Sequence, residues 1–182
     1  MDSSLNSPSL PLPPGKLLAL DAGLARIGVA VCDGLQMTVR PLTVVERRSR
    51  NEDFAALAQI AQREDVQALV CGLPINMDGS EGPQAVTTRR WAMRLAQAMR
   101  ALLQRPLPVI FWDERLTTYA AKELMAGEKS SGSAYASDDA VAAAVLLRTY
   151  LDATARGEPL HYGRIDLPPR TASVAGASLS EA

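Results

Sequence analysis

Three segments of the chain end or begin in acids where an apolar pattern leads one to expect none. "KLLALDAG" delivers Asp21 at the close of a strand-like run, and "LPVIFWDER" delivers Asp113, Glu114 and Arg115 at the close of another. "SDDAVAAAVLLRTYLDA" opens with Asp138 and Asp139. Spacings of four, three and four place Asp139, Ala143, Leu146 and Tyr150 on one helical row, so an acid heads the inward face. Asp138 leads instead into Val141, Val145 and Thr149, a row that ends polar, and there it suits a first-turn acid behind Ser137 as N-cap. Carboxylates brought to one point repel. Two unit charges about 4 Å apart cost roughly 4 kcal/mol at an effective dielectric near 20. A divalent cation reverses the sign, and an all-oxygen donor set favours Mg²⁺ or Mn²⁺ over zinc or copper. Carboxylate-held Mg²⁺ with open positions is a common arrangement for phosphoryl transfer. Acids at strand ends are also ordinary solvated termini, so residue types alone leave both readings open.

The elements that must position these acids are legible in order. "KLLALDAG", "RIGVAVCDG" and "MTVRPLTVVE" read as three strands punctuated by Gly23 and Gly34, a meander of hairpins. "NEDFAALAQIAQRE" reads as a helix with Asn51 as N-cap and Phe54, Leu57 and Ala61 on its buried face. "QALVCGLP" is a buried strand, and Pro83 starts a long helix whose apolar stripe is Trp91, Leu95, Met99 and Leu102. "LPVIFW" is a fifth strand, "TTYAAKELMAG" a short helix closed by Gly127, and residues from Asp138 onward a last helix. The order βββαβαβαα describes an α/β domain with a mixed five-stranded sheet flanked by helices. In such sheets functional groups gather outside the carboxyl ends of central strands. Residues 1–15 and 155–182, rich in Pro, Ser, Gly and Ala, read as disordered tails around one domain spanning 16–154.

Composition narrows the chemistry. Nineteen Lys plus Arg against twenty Asp plus Glu leave a net charge of −1, which argues against a basic coat but leaves room for a local basic face. The single histidine, His161, and two separated cysteines, Cys32 and Cys71, cannot form a zinc site of usual spacing. Both cysteines sit in apolar runs and read as reduced core thiols of a cytoplasmic protein. The first fifteen residues have neither the basic nor the apolar segment of a signal peptide, and no run is long enough to span a bilayer.

"LALDAGLARIGVAVCD", "GLPINMDGSEG", "DERLTTYAA" and "DDAVAAAVLLRTYLD" resemble, in order, the four blocks of the YqgF family, over about residues 16–152. These are RNase H-like proteins described both as Holliday junction resolvases and as pre-16S rRNA nucleases. The resemblance implies an RNase H-like fold and a Mg²⁺- or Mn²⁺-dependent nuclease that matures the 5′ end of pre-16S ribosomal RNA, free or in ribosomal particles. Branched DNA is the alternative substrate, and a non-catalytic nucleic-acid-binding domain the alternative role; the state implied is monomer or homodimer. Carried over block by block, the metal-holding catalytic acids fall on Asp21, Glu114 and Asp139. Arg26, Asn76, Ser80 and Arg115 are substrate-binding candidates. Asn76 and Ser80 lie in a Gly/Asn/Asp-rich loop that is equally well a plain turn, and Arg115 could either orient Glu114 or meet a phosphate. Two departures bear on substrate affinity: Ala25 stands where family members often carry lysine, and the loop before the last acid offers only Lys129. A "DAG" hairpin also opens actin-like sugar kinases, but those duplicate the domain and this chain holds one copy.

Overall fold

The computed structural model describes residues 13–115, 137–158 and 162–170. The three opening strands form as the glycine punctuation requires: β1 (Lys16–Ala22), β2 (Arg26–Cys32) and β3 (Val39–Glu46), each antiparallel to the next. They are followed by α1 (Arg50–Glu64), β4 (Val66–Leu73), α2 (Pro83–Leu102), β5 (Val109–Asp113), α3 (Asp138–Ala155) and β6 (Arg164–Ile165). β4 pairs parallel with β1 and β5 parallel with β4, giving the order β3-β2-β1-β4-β5-β6. Pro41 is tolerated in β3 because that strand forms the sheet's edge.

Two expectations are corrected. The sheet has six strands rather than five, because Arg164–Ile165 pair antiparallel with Ile110 and Val109. They fall in the segment read as a disordered tail. Two residues carry no periodicity, and their order comes from covering the open edge of β5. At the other end, Gln36 Nε2 donates to the carbonyls of Pro13 and Gly15, tying down the last residues of the N-terminal tail. The N-cap of α1 is Ser49 rather than Asn51: its hydroxyl accepts from Glu52 N–H and donates to the Glu52 carboxylate. Ser137 does occupy the N-cap of α3, without a side-chain capping bond. The short helix read in "TTYAAKELMAG" lies outside the described residues.

The sheet's two faces carry different cores. One face presents Leu18, Leu20, Leu69, Val109 and Phe111 to α1 and α2, through Phe54, Leu57, Leu95 and Met99. Leu102, placed on the α2 stripe by periodicity, is exposed, and Ala85, Ala92 and Ala96 complete the buried side. The other face is built from small residues, Ala19, Ala30 and Ala68, with Val70, Ile110 and Trp112, and receives α3. Small side chains let α3 lie close, which explains an apolar composition poor in aromatics. Leu146, Leu147 and Tyr150 seal this face, each worth about 1.5–3 kcal/mol on burial. The Tyr150 hydroxyl finds no hydrogen-bond partner among the described residues, an opposing cost of about 1–3 kcal/mol.

The tightest approach is at Gly28 in β2. A Cβ there would lie 1.9 Å from the backbone oxygen of Asp139 and 3.2 Å from the Ala140 nitrogen. The first turn of α3 therefore rests on bare backbone. Gly28→Ala must push the helix off the sheet. It should cost about 3 kcal/mol, the upper range for overpacking, and lower the melting temperature by roughly 6–12 °C. Gly34→Ala, where an added Cβ meets nothing within 4 Å, is the control and should melt like the parent in the same scan.

Candidate active site

Alternation along the strands decides which acids can meet. In β1, Leu17 and Ala19 belong to the α3 face, so Asp21 follows them there. In β5, Ile110 and Trp112 face α3, so Glu114 continues toward α3 while Asp113 turns to the opposite side. Glu114 N–H donates to the Leu73 carbonyl at 3.2 Å, carrying the ladder one residue past the strand. Gly72, on the same face of β4, leaves room for the Glu114 side chain: a Cβ there would lie 2.6 Å from Oε1. Asp21 pairs across the ladder with Gly28, the residue on which the first turn of α3 rests. Asp139 thus arrives beside Asp21. Asp138 is exposed, as its position about 100° around the helix from Asp139 requires.

Electrostatics tie the three together through Asp21. Burial, and then the charge of Asp139, push the Asp21 carboxyl above the usual aspartate range. Glu114 is pushed up to about 7, first by burial and then by Asp21 and Asp113. Asp139 is partly neutralised by Arg26, whose Nε lies 2.8 Å from Oδ2. The acids stand as repelling neighbours, not as a closed cage: among the described residues no three Asp, Glu, His or Cys side chains form a group that could hold a metal ion as placed. The donor set nonetheless suits a hard divalent cation. It is oxygen only, two of its acids are strained by like charge, and a guanidinium already supplies positive charge at the third.

The remaining candidates are placed differently. Arg115 neither orients Glu114 nor stands free. Its Nε and Nη2 grip both oxygens of Asp113, at 2.6–3.1 Å, and its Nη1 donates to the Asn76 carbonyl at 2.8 Å. Asp113 is 1% exposed, and Tyr162 OH donates to it at 3.0 Å. Burial alone would raise the Asp113 carboxyl, but the bonds from Arg115 and Tyr162 hold it below its ordinary value. Tyr162 had no signal in the sequence, since it lies in a stretch read as tail. Asn76 and Ser80 bond within their own turn: Asn76 Nδ2 donates to Ser80 Oγ at 3.0 Å, and Ser80 Oγ donates to Asp78 at 2.6 Å. Ile75 and Glu81 bridge beneath them. Arg26 lies 59% exposed next to Asp139, with its charge turned toward solvent as well as toward the acid.

A mixed sheet opened by an antiparallel β1–β2–β3 meander, with acids converging at the carboxyl end of β1, defines the RNase H-like class of nucleases. The fold matches that of RuvC from T. thermophilus solved in complex with a Holliday junction substrate, with TM-score 0.55 and 14% identity, over 78% of this chain and 96% of that one. The chain belongs to the RuvX Holliday junction resolvase family, whose sequence profile matches residues 15–153. Relatives bearing the name "Putative pre-16S rRNA nuclease" come from Synechococcus elongatus, 44% identical over 80% of this chain and 93% of theirs, and Paracoccus denitrificans, 45% identical over 76% and 84%. A third, from Myxococcus xanthus, is 42% identical over 76% and 88%.

The raised Glu114 value makes a stability prediction. An acid whose folded value lies near 7, above its ordinary 4.5, leaves the fold fully stable below pH 4.5 and withdraws stability as pH rises toward 7. In EDTA, the melting temperature of Glu114→Gln relative to the parent should climb between pH 4.5 and about 7 and then level off. A difference that stays flat across that window would show that Glu114 is not held in a repelling, buried position.

Proposed function

We propose that the chain is a divalent-metal-dependent nuclease, working in the cytoplasm on the precursor of small-subunit ribosomal RNA, with Asp21, Glu114 and Asp139 as its metal-holding acids. One observation carries the assignment of the site: α3 seats its first turn on Gly28, directly across the ladder from Asp21, on the face to which Glu114 also points. RNA as substrate is supported by the names of relatives at 42–45% identity. The cytoplasmic setting is supported by two buried cysteines that are both free thiols.

A cation bound by these acids supplies positive charge to the scissile phosphate and lowers the pKa of a water. The protein's own contribution is placement. β1 and the end of β5 fix Asp21 and Glu114 on rigid backbone, and α3 carries Asp139 to them. Arg26 pairs with Asp139 in the absence of substrate; exposed and adjacent, it is the residue that would turn to a phosphate oxygen when one arrives. The Asp113–Arg115 pair ties the Asn76–Met77 backbone to the end of β5. A second reading, cleavage of branched DNA, is favoured by the description of the family as Holliday junction resolvases.

Purified protein with Mg²⁺ or Mn²⁺, given precursor 16S RNA and a four-way DNA junction in parallel, distinguishes these readings, and no cleavage of either overturns both. On the better substrate, Asp139→Asn should lose more than the roughly 10–100-fold that removing a metal ligand's supporting partner costs. Asp138→Asn should keep most turnover and lose about 0.3–1 kcal/mol of stability through the helix dipole. An inert Asp138→Asn beside an active Asp139→Asn would refute the site.

A further inference from the structure

On the opposite side of the β1 end from the acids, a cleft of about 360 Å³ opens between the β1–β2 turn and the N-terminal halves of α1 and α2. Arg47, Arg50, Arg90 and Arg94 line it with Trp91, and none of its lining residues is acidic. In a chain of net charge −1 this is a concentrated positive field. Elsewhere arginines meet acids: Arg40, Arg89, Arg115 and Arg164 each pair with one. Arg50, Arg90 and Arg94 make no ion pair or side-chain hydrogen bond among the described residues. Arg47 alone of the four meets an acid, its Nε 3.6 Å from Asp53 Oδ2, and it is held in place, donating to the Gly23 carbonyl at 2.8 Å, with its guanidinium 5.7 Å from the centre of the Trp91 ring. The Trp91 indole N–H, moreover, is buried with no partner among the described residues.

We infer that this cleft binds the sugar–phosphate backbone of the substrate strand, beyond the bond that is cut. The inference rests on the nuclease reading and extends it to substrate path. Arg50, Arg90 and Arg94, gathered beside Arg47 with no acid of their own, cost energy in the free protein, and an anion removes that cost. Arg90 and Arg94 stand one helical turn apart, about 6 Å along the axis, presenting cations in a line along a chain of phosphates instead of closing on one ion. Continuity with the acids is covalent. Asp21 faces α3, while its neighbour Ala22 and the exposed Leu24 line the cleft. A strand leaving the acids round the β1–β2 turn enters the cleft directly.

The test is binding without cleavage. In EDTA, a labelled single-stranded RNA and its DNA counterpart are titrated against the parent and against Arg90→Gln/Arg94→Gln, at several salt concentrations. The double variant should bind about tenfold more weakly near 0.1 M salt, with the slope of log K against log salt reduced by roughly 1.4, two phosphates at about 0.7 each. Arg63→Gln, on an exposed arginine outside the cleft, should match the parent. In a Trp112→Phe background Trp91 is the sole indole, and its fluorescence should change as RNA saturates the protein. Unchanged affinity and slope in a folded double variant, or a silent Trp91, overturns the inference. If the parent cleaves and the double variant binds normally, the cleft fails alone. If the binding changes appear and the parent cleaves nothing, the nuclease reading fails and the cleft stands.

Discussion

The site depends on a contact between two stretches of backbone. At Gly28 the sheet offers no side chain, and the Asp139 carbonyl descends to where a Cβ would be. A close-packed interior transmits such a constraint without slack. The helix's height above β2 sets the position of Asp139 relative to Asp21, which pairs with Gly28. The small residues of that face, Ala19, Ala30, Ala68 and Ala143, extend the same close approach along the helix, and Tyr150 with Trp112, ring centres 5.6 Å apart, anchors its far end. Fold stability and acid geometry are therefore one quantity here. A change that lifts α3 loosens the core and opens the acid cluster together.

Adjacent acids at the end of β5 show how the pleat assigns opposite roles. Asp113 and Glu114 differ by one position and so point to opposite faces of the sheet. Asp113 meets Arg115 and Tyr162, and these bonds hold it ionised although it is nearly fully buried. It thereby joins three distant parts of the chain: the end of β5, the Asn76–Met77 turn and the segment that leads into β6. Glu114 is buried beside Asp21 and Asp113, and burial first, then their charges, push its carboxyl up to about 7. One carboxylate strengthens the fold and the other strains it. Strain of this kind at a cluster of acids is what a bound divalent cation would relieve, and perturbed values of this kind concentrate at functional sites.

How much of this was legible in the sequence follows from the range of the interactions involved. The choice of Asp139 over Asp138 needed only the 3.6-residue period; Glu114 was chosen by resemblance, and the parity that sends it toward α3 is the two-residue period of a strand. Both are local rules: Asp138 is exposed, and Ile110 and Trp112, in phase with Glu114, lie on the α3 face. β6 is a pairing of two residues made at a separation of more than fifty, and no local pattern announces it. The partner of Arg115 lay only two residues away, yet the Tyr162 hydroxyl that also donates to Asp113, and the Asn76 carbonyl that accepts from Arg115, could be recognised only once those distant segments were in place. Ser49 displaced Asn51 as N-cap because a reciprocal bond with Glu52 was available two residues earlier.

The two sides of the β1 end complete one another electrically. Acids on the α3 face would repel an approaching polyanion if they stood alone, and a chain of net charge −1 offers no general attraction to offset that. Arg26 answers the difficulty at contact distance, by covering Asp139. The arginines across the β1–β2 turn answer it at longer range: within a Debye length of about 8–10 Å their field is only partly screened. Separating the two charges on opposite faces of a strand keeps the arginines from pairing with the acids and so cancelling both. A sheet end is suited to this, because consecutive residues of β1 face opposite ways while remaining one residue apart along the chain.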